Sequence, residues 1–92
     1  MISLEKLTKA IQNADVFPRE EDCRKDAIAA LKIFGRKTEI ADNVLESEDR
    51  GLCYFLEGEG LLRTRKTRRG YYWVLDKEAI DKLAKKKRRP PS

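Results

Sequence analysis

Histidine is absent from the chain, and with it go the Ser-His-Asp and Cys-His arrangements that activate a nucleophile. Cysteine occurs only twice, at Cys23 and Cys53, with no Cys-x-x-Cys spacing. Neither a disulfide framework nor a Cys/His zinc site is therefore expected. The favoured reading of the two thiols is that they are reduced and buried in a cytoplasmic protein, free cysteine behaving as a small hydrophobe. A redox pairing is the alternative. Long apolar runs are missing too: nothing approaches the roughly 18 residues of a membrane span, and Met1-Ile2-Ser3-Leu4-Glu5-Lys6 lacks the apolar core of a signal peptide. A cytoplasmic protein without membrane contact is the expectation. Gly58-x-Gly60 precedes a strand-like run and lacks the Lys and Ser/Thr of a phosphate-binding loop. The acidic residues are scattered, and pairs such as Glu20-Glu21 fall in helix first turns, where anions favour the dipole. No enzyme and no cofactor is expected.

What is present is charge. The 92 residues, 10.7 kDa in all, are 40% hydrophobic and 40% charged, enough apolar content for one small core in a single domain. The charge is unevenly placed. Residues 1–62 carry 9 Lys/Arg against 13 Asp/Glu, a net of −4, whereas residues 63–92 carry 12 against 3, a net of +9. Such asymmetry suggests an acidic scaffold presenting a basic end to a polyanion.

Along the chain, Ser3 is placed to cap a first helix with Leu4, Leu7, Ala10, Ile11 and Ala14 at helical spacing. Val16-Phe17-Pro18 reads as a linker that pins Phe17 in the core. Glu20-Glu21-Asp22 opens a second helix burying Cys23, Ala27, Ile28, Leu31 and Phe34, with Ala30 beside them and Gly35 as its C-terminal cap. Thr38 is expected to cap a short third helix from Glu39 to about Leu45, with Ile40, Ala41, Val44 and Leu45 inward. Ser47 is expected to cap a fourth, burying Leu52, Cys53, Phe55 and Leu56. From Leu61 to Leu75, two apolar runs flank a cation-rich turn closed by Gly70, the pattern of a β-hairpin. Asp76 then caps a last helix, Lys77 to about Lys85, with Ala79, Ile80, Leu83 and Ala84 on one side. Residues 1–84 are thus expected to form one domain, and 85–92 a disordered basic tail.

Two short helices directly before a basic hairpin resemble the winged helix-turn-helix superfamily of small bacterial and archaeal regulators. The likeness spans about Asp22 to Leu75 and rests on Leu56-Glu57-Gly58-Glu59-Gly60-Leu61-Leu62, similar to the family's passage from recognition helix into wing, and on Thr38-Glu39-Ile40-Ala41, similar to the start of the preceding helix. It implies an α+β, mostly helical winged helix with a C-terminal β-hairpin wing plus extra N- and C-terminal helices. It further implies a DNA-binding protein acting in transcription regulation.

Five of the eight residues from Arg63 to Gly70 are cations, namely Arg63, Arg65, Lys66, Arg68 and Arg69, and no acid lies among them. Lys and Arg neutralise phosphate, and arginine enters a narrow minor groove. The plainer reading is a solvated hairpin tip that discourages edge pairing. Strand alternation sends Tyr71, Trp73 and Leu75 to one face and Tyr72 and Val74 to the other, so Trp73 is expected in the core and Tyr72 outside. Arg36, Lys37, Arg50, Tyr54 and Tyr72 complete the expected nucleic-acid set, with double-stranded DNA as partner. One feature opposes it: the helix meant to read bases exposes Glu48, Asp49 and Glu57 beside Arg50 and Tyr54, and acids repel phosphates. A protein-protein interaction module and an RNA-binding domain are the alternatives. Leu4, Ile11, Ile80 and Leu83 look like more apolar surface than a small core absorbs, which suggests a homodimer through the first and last helices, with a monomer the other possibility.

Overall fold

A computed structural model of the chain describes residues 2–14 and 19–86. The expected linker at Val16-Phe17-Pro18 and the basic run beyond Lys86 lie outside these residues. Ser3 opens α1 (Leu4–Ala14), its hydroxyl accepting the Lys6 N–H at 3.2 Å. Leu7, Ala10 and Ile11 form the buried stripe of this helix. α2 (Glu20–Phe34) carries Glu20, Glu21 and Asp22 in its first turn and buries Cys23, Ala27, Ala30 and Phe34. Gly35 closes it, its N–H donating to the Leu31 carbonyl at 2.8 Å.

The next segment departs from the expected third helix. Glu39–Ala41 is a strand, β1, followed by a single 3₁₀ turn, Asp42–Val44. The four-residue spacing of Ile40, Val44 and Leu45 mimics a helix face, but Glu39–Ala41 finds a partner strand more than thirty positions later, and cross-strand pairing outweighs local propensity. Val44 consequently points to solvent, 65% exposed, while Leu45 is buried.

α3 (Ser47–Gly58) follows. The cap position is Glu46, with no side-chain cap, and Ser47 is the first helical residue rather than the cap. Cys53 and Leu56 are buried and Leu52 is half-buried, but Phe55 is 41% exposed, one step off the inward stripe. The helix ends through Gly60, whose φ of +83° favours glycine and lets the Leu61 N–H reach the Leu56 carbonyl at 2.9 Å. That bend delivers the chain into β2 (Leu62–Thr67), which turns into β3 (Gly70–Leu75). α4 (Lys77–Lys85) begins at Asp76, whose carboxylate accepts the Ala79 N–H at 3.1 Å.

The described residues therefore form an α+β, mostly helical domain with four α-helices and a three-stranded antiparallel sheet in the order β1-β3-β2. Alternation assigns the faces. Ile40, Leu62, Trp73 and Leu75 pack toward the helices, and Glu39, Ala41, Arg63, Arg65, Tyr72 and Val74 share the outer face. One core joins the elements, with Leu7, Ile11, Leu56, Leu61, Ile80 and Cys53 its largest fully buried side chains.

The apolar surplus on the first and last helices is absorbed within the chain, which removes the argument for a dimer there. Ile11 and Ile80 are fully buried, and Leu4 and Leu83 pack against the same core. α1 and α4 are also tied by a Lys6–Asp81 ion pair and by the Asn13 amide, which donates to the carbonyls of Leu83 at 2.6 Å and Lys86 at 3.0 Å. Both cysteines are buried in this core, and neither is in a disulfide. Among the described residues no helix is long and apolar enough to cross a membrane.

Candidate nucleic-acid interface

The hairpin is built around Arg68-Arg69. Thr67 pairs with Gly70, and the Thr67 hydroxyl accepts the Arg69 N–H at 3.1 Å while donating to the Gly70 carbonyl at 3.2 Å. Gly70 sits at φ +130°, a conformation essentially restricted to glycine. Six-residue strands at roughly 3.4 Å per residue carry this turn about 17 Å from the root of the hairpin, where Leu62 faces Leu75.

The hairpin's own sequence holds no acid, yet the folded chain supplies two. Arg63 Nε lies 3.3 Å from Asp76 Oδ2, while the other oxygen of Asp76 caps α4. Arg65 pairs with Glu39 of β1, and its guanidinium carbon stands 5.2 Å from the centre of the Tyr72 ring. The two cations on the outer face are thus partnered. Lys66, Arg68 and Arg69 are not: no described acid forms an ion pair with any of them. Lys66 lies over Tyr71, with Nζ 5.6 Å from the ring centre. Tyr71 is 54% exposed although it shares the face of Trp73, because the tip reaches past the helices. A cleft of about 250 Å³ runs between the end of β1 and the tip, lined by Asp42, Asn43, Arg69, Tyr71 and Tyr72 among others.

Arg50 does not join this cluster. Its Nε donates to Asp42 Oδ1 at 3.1 Å, and its terminal nitrogen donates to the carbonyls of Asp42 at 3.2 Å and Leu45 at 3.4 Å. The same Asp42 oxygen accepts Trp73 Nε1–H at 2.9 Å. Asp42 thus ties the 3₁₀ turn, α3 and β3 together. The Trp73 N–H holds its carboxyl below the usual carboxylate range, and Arg50 adds to this against an opposing effect of burial. Tyr54 is 60% exposed and packs edge-on to Trp73, ring centres 5.1 Å apart at 88°.

Arg36 and Lys37 are exposed in the loop before β1. Because β1 is antiparallel to β3, and the Thr38 carbonyl accepts the Leu75 N–H, they lie at the root of the hairpin, not at its tip. Of the ten residues expected to form the interface, the fold gathers Lys66, Arg68 and Arg69 at the tip. It holds Arg63, Arg65 and Tyr72 on the outer face, sets Arg36 and Lys37 at the root, engages Arg50 with Asp42 and packs Tyr54 against Trp73. Glu39, Asp42 and Asp76 are the residues that sequence reasoning missed. Asp76 was accessible in principle, since counting back from the Arg68-Arg69 turn sets Arg63 opposite Val74, two residues away. Glu39 and Asp42 had no local signal.

Cys53 lies beneath this region. Burial first, then the nearby Asp49 and Asp42, push its thiol up to about 11.

No curated protein and no solved structure matches the chain. A family model matches nearly its whole length: from residue 1 to residue 90 the chain belongs to DUF6015, a family of unknown function.

Proposed function

We propose that the protein binds nucleic acid, duplex DNA above all, as a winged-helix domain whose basic wing makes the contact. The observation that carries this reading is the tip: Lys66, Arg68 and Arg69 project beyond the helices with no acidic partner among the described residues. Unscreened cations on a protruding hairpin suit phosphates and a narrow minor groove. The element order α2, β1, α3, β2, β3, with β3 central in the sheet, supports the winged-helix assignment. Because Arg50 is engaged by Asp42 and α3 exposes Glu48 and Glu57, the wing supplies affinity and the helix contributes little base reading. The role is binding rather than catalysis, and transcription regulation in the cytoplasm is the setting that this chemistry fits.

A second reading has its own support. Val44, Tyr54 and Phe55, three of the large exposed apolar residues, lie on or just before α3 with Glu48 and Glu57 nearby. Such a surface suits a protein partner. The two readings separate in one experiment. Fluorescence anisotropy with duplex DNA, single strands and duplex RNA is compared for the wild type, Arg68→Ala/Arg69→Ala and Tyr54→Ala/Phe55→Ala. The nucleic-acid reading expects duplex DNA to bind best and the Arg variant to lose at least several-fold in affinity, with the aromatic variant near wild type. Equal binding by the wild type and the Arg variant would contradict it.

A further inference from the structure

Resting on the nucleic-acid reading above, we infer that Glu39 is the affinity-setting residue of the wing: it holds Arg65 in the free protein where a phosphate would sit, and yields it only by exchange. Glu39 lies opposite Val74 in one edge strand, and Arg65 lies opposite Tyr72 in the other, both on the outer face. Two strand spacings, roughly 9.6 Å, and a two-residue offset along the strands, about 6.8 Å, separate them, and the side chains of Arg65 and Glu39 meet across β3. On the way the Arg65 guanidinium carbon stands 5.2 Å from the centre of the Tyr72 ring.

A carboxylate and a phosphate offer the same pair of anionic oxygens to the guanidinium fork, so one can replace the other. Neither partner is sealed: the side chain of Arg65 is 56% exposed and that of Glu39 34%. Beside them opens a cleft of about 270 Å³ lined by Glu39, Arg63, Thr64, Arg65 and Val74. The wing therefore has two grades of cation. Lys66, Arg68 and Arg69 meet a polyanion at once. Arg65 joins only when the polyanion reaches the outer face and displaces Glu39. Arg63 is held by Asp76 in a similar way, but Asp76 also caps α4 and so serves the fold as well.

The test uses the full chain and a short labelled DNA duplex, titrated over a series of potassium chloride concentrations. Glu39→Gln keeps the shape and removes the charge. It is expected to tighten binding roughly two- to fivefold at low salt, in line with the worth of an exposed ion pair, and to steepen the log–log salt slope by about 0.9. Arg65→Ala alone is expected to change little, and Arg65→Ala in the Glu39→Gln background to cancel the gain. Glu5→Gln, on α1, makes the same change in net charge away from the sheet and controls for it. Glu39→Thr, which suits a strand, should reproduce the gain, and thermal melts check that each variant is folded. Glu39→Gln binding no tighter than Glu5→Gln, or a gain that survives loss of Arg65, overturns the inference while leaving the tip reading intact. If Arg68→Ala/Arg69→Ala binds as the wild type does, the tip reading fails, and this inference with it.

Discussion

Asp42 does more for this fold than any other polar side chain at the candidate interface. One oxygen takes both Trp73 Nε1–H and Arg50 Nε–H, so a single carboxylate fixes the tryptophan, the 3₁₀ turn and α3. Hydrogen bonds to a charged group are worth about 1.5–3 kcal/mol each when lost, and partial exposure of Asp42 lowers that figure. Asp42→Ala is accordingly expected to cost about 1–3 kcal/mol in urea unfolding. The folded carboxyl titrates below its unfolded value, so its contribution is complete above the unfolded pKa, near 4, and fades as the pH falls through the folded one. Wild type and Asp42→Ala should therefore converge in stability in acid. Cys53 has the opposite sign. Its thiol is raised to about 11, so neutral Cys53 is favoured in the fold, and stability should decline as the pH climbs from about 9 toward that value. In the native protein at pH 8, iodoacetamide should modify Cys53 far more slowly than in urea, because the thiolate is the reacting species.

Each element obeys one of two kinds of information, and this decides which were legible in advance. Helices α1, α2 and α4 follow from local spacing and caps: Ser3, Gly35 and Asp76 all act where the sequence places them. The hairpin is equally local, since Arg68-Arg69-Gly70 sets both turn and register. β1 is different. Thr38-Glu39-Ile40-Ala41 reads as a capped helix start because nothing nearby reveals that Ile40 will lie opposite Trp73. Misplacing that strand also hid Glu39 as the partner of Arg65, and with it the screening of the outer face. Exposed Phe55 reflects a smaller error, one helical position off the buried stripe set by Cys53 and Leu56. At the tip, Gly70→Ala is expected to strain the turn, since its φ of +130° disfavours a side chain. About 1–3 kcal/mol of lost stability is the expected scale, read by thermal melting, with hydrogen exchange quickening first in β2 and β3.

For the molecule as a whole, the helical layer exists to hold a hairpin that would be marginal alone. Ile11 and Ile80 lock α1 to α4, and Trp73 and Leu75 anchor β3 to the same core. Ile80→Ala should cost about 2–5 kcal/mol, a large share of the roughly 5–15 kcal/mol available to a small domain, and should lower duplex binding only in proportion to the fraction unfolded. The imbalance of charge along the sequence survives folding in modified form. Glu39 from the first half reaches across to Arg65, and Asp76 reaches Arg63, so among the described cations of the hairpin only the three at its tip have no acidic ion-pair partner. The salt dependence of duplex DNA binding tests most directly whether those three tip cations make the contact. The three tip cations at roughly −0.9 each should contribute about −2.7 to the log–log slope, and Arg68→Ala/Arg69→Ala should flatten it by about 1.8. Binding that ignores salt, or a slope that those two substitutions leave unchanged, would contradict a tip contact.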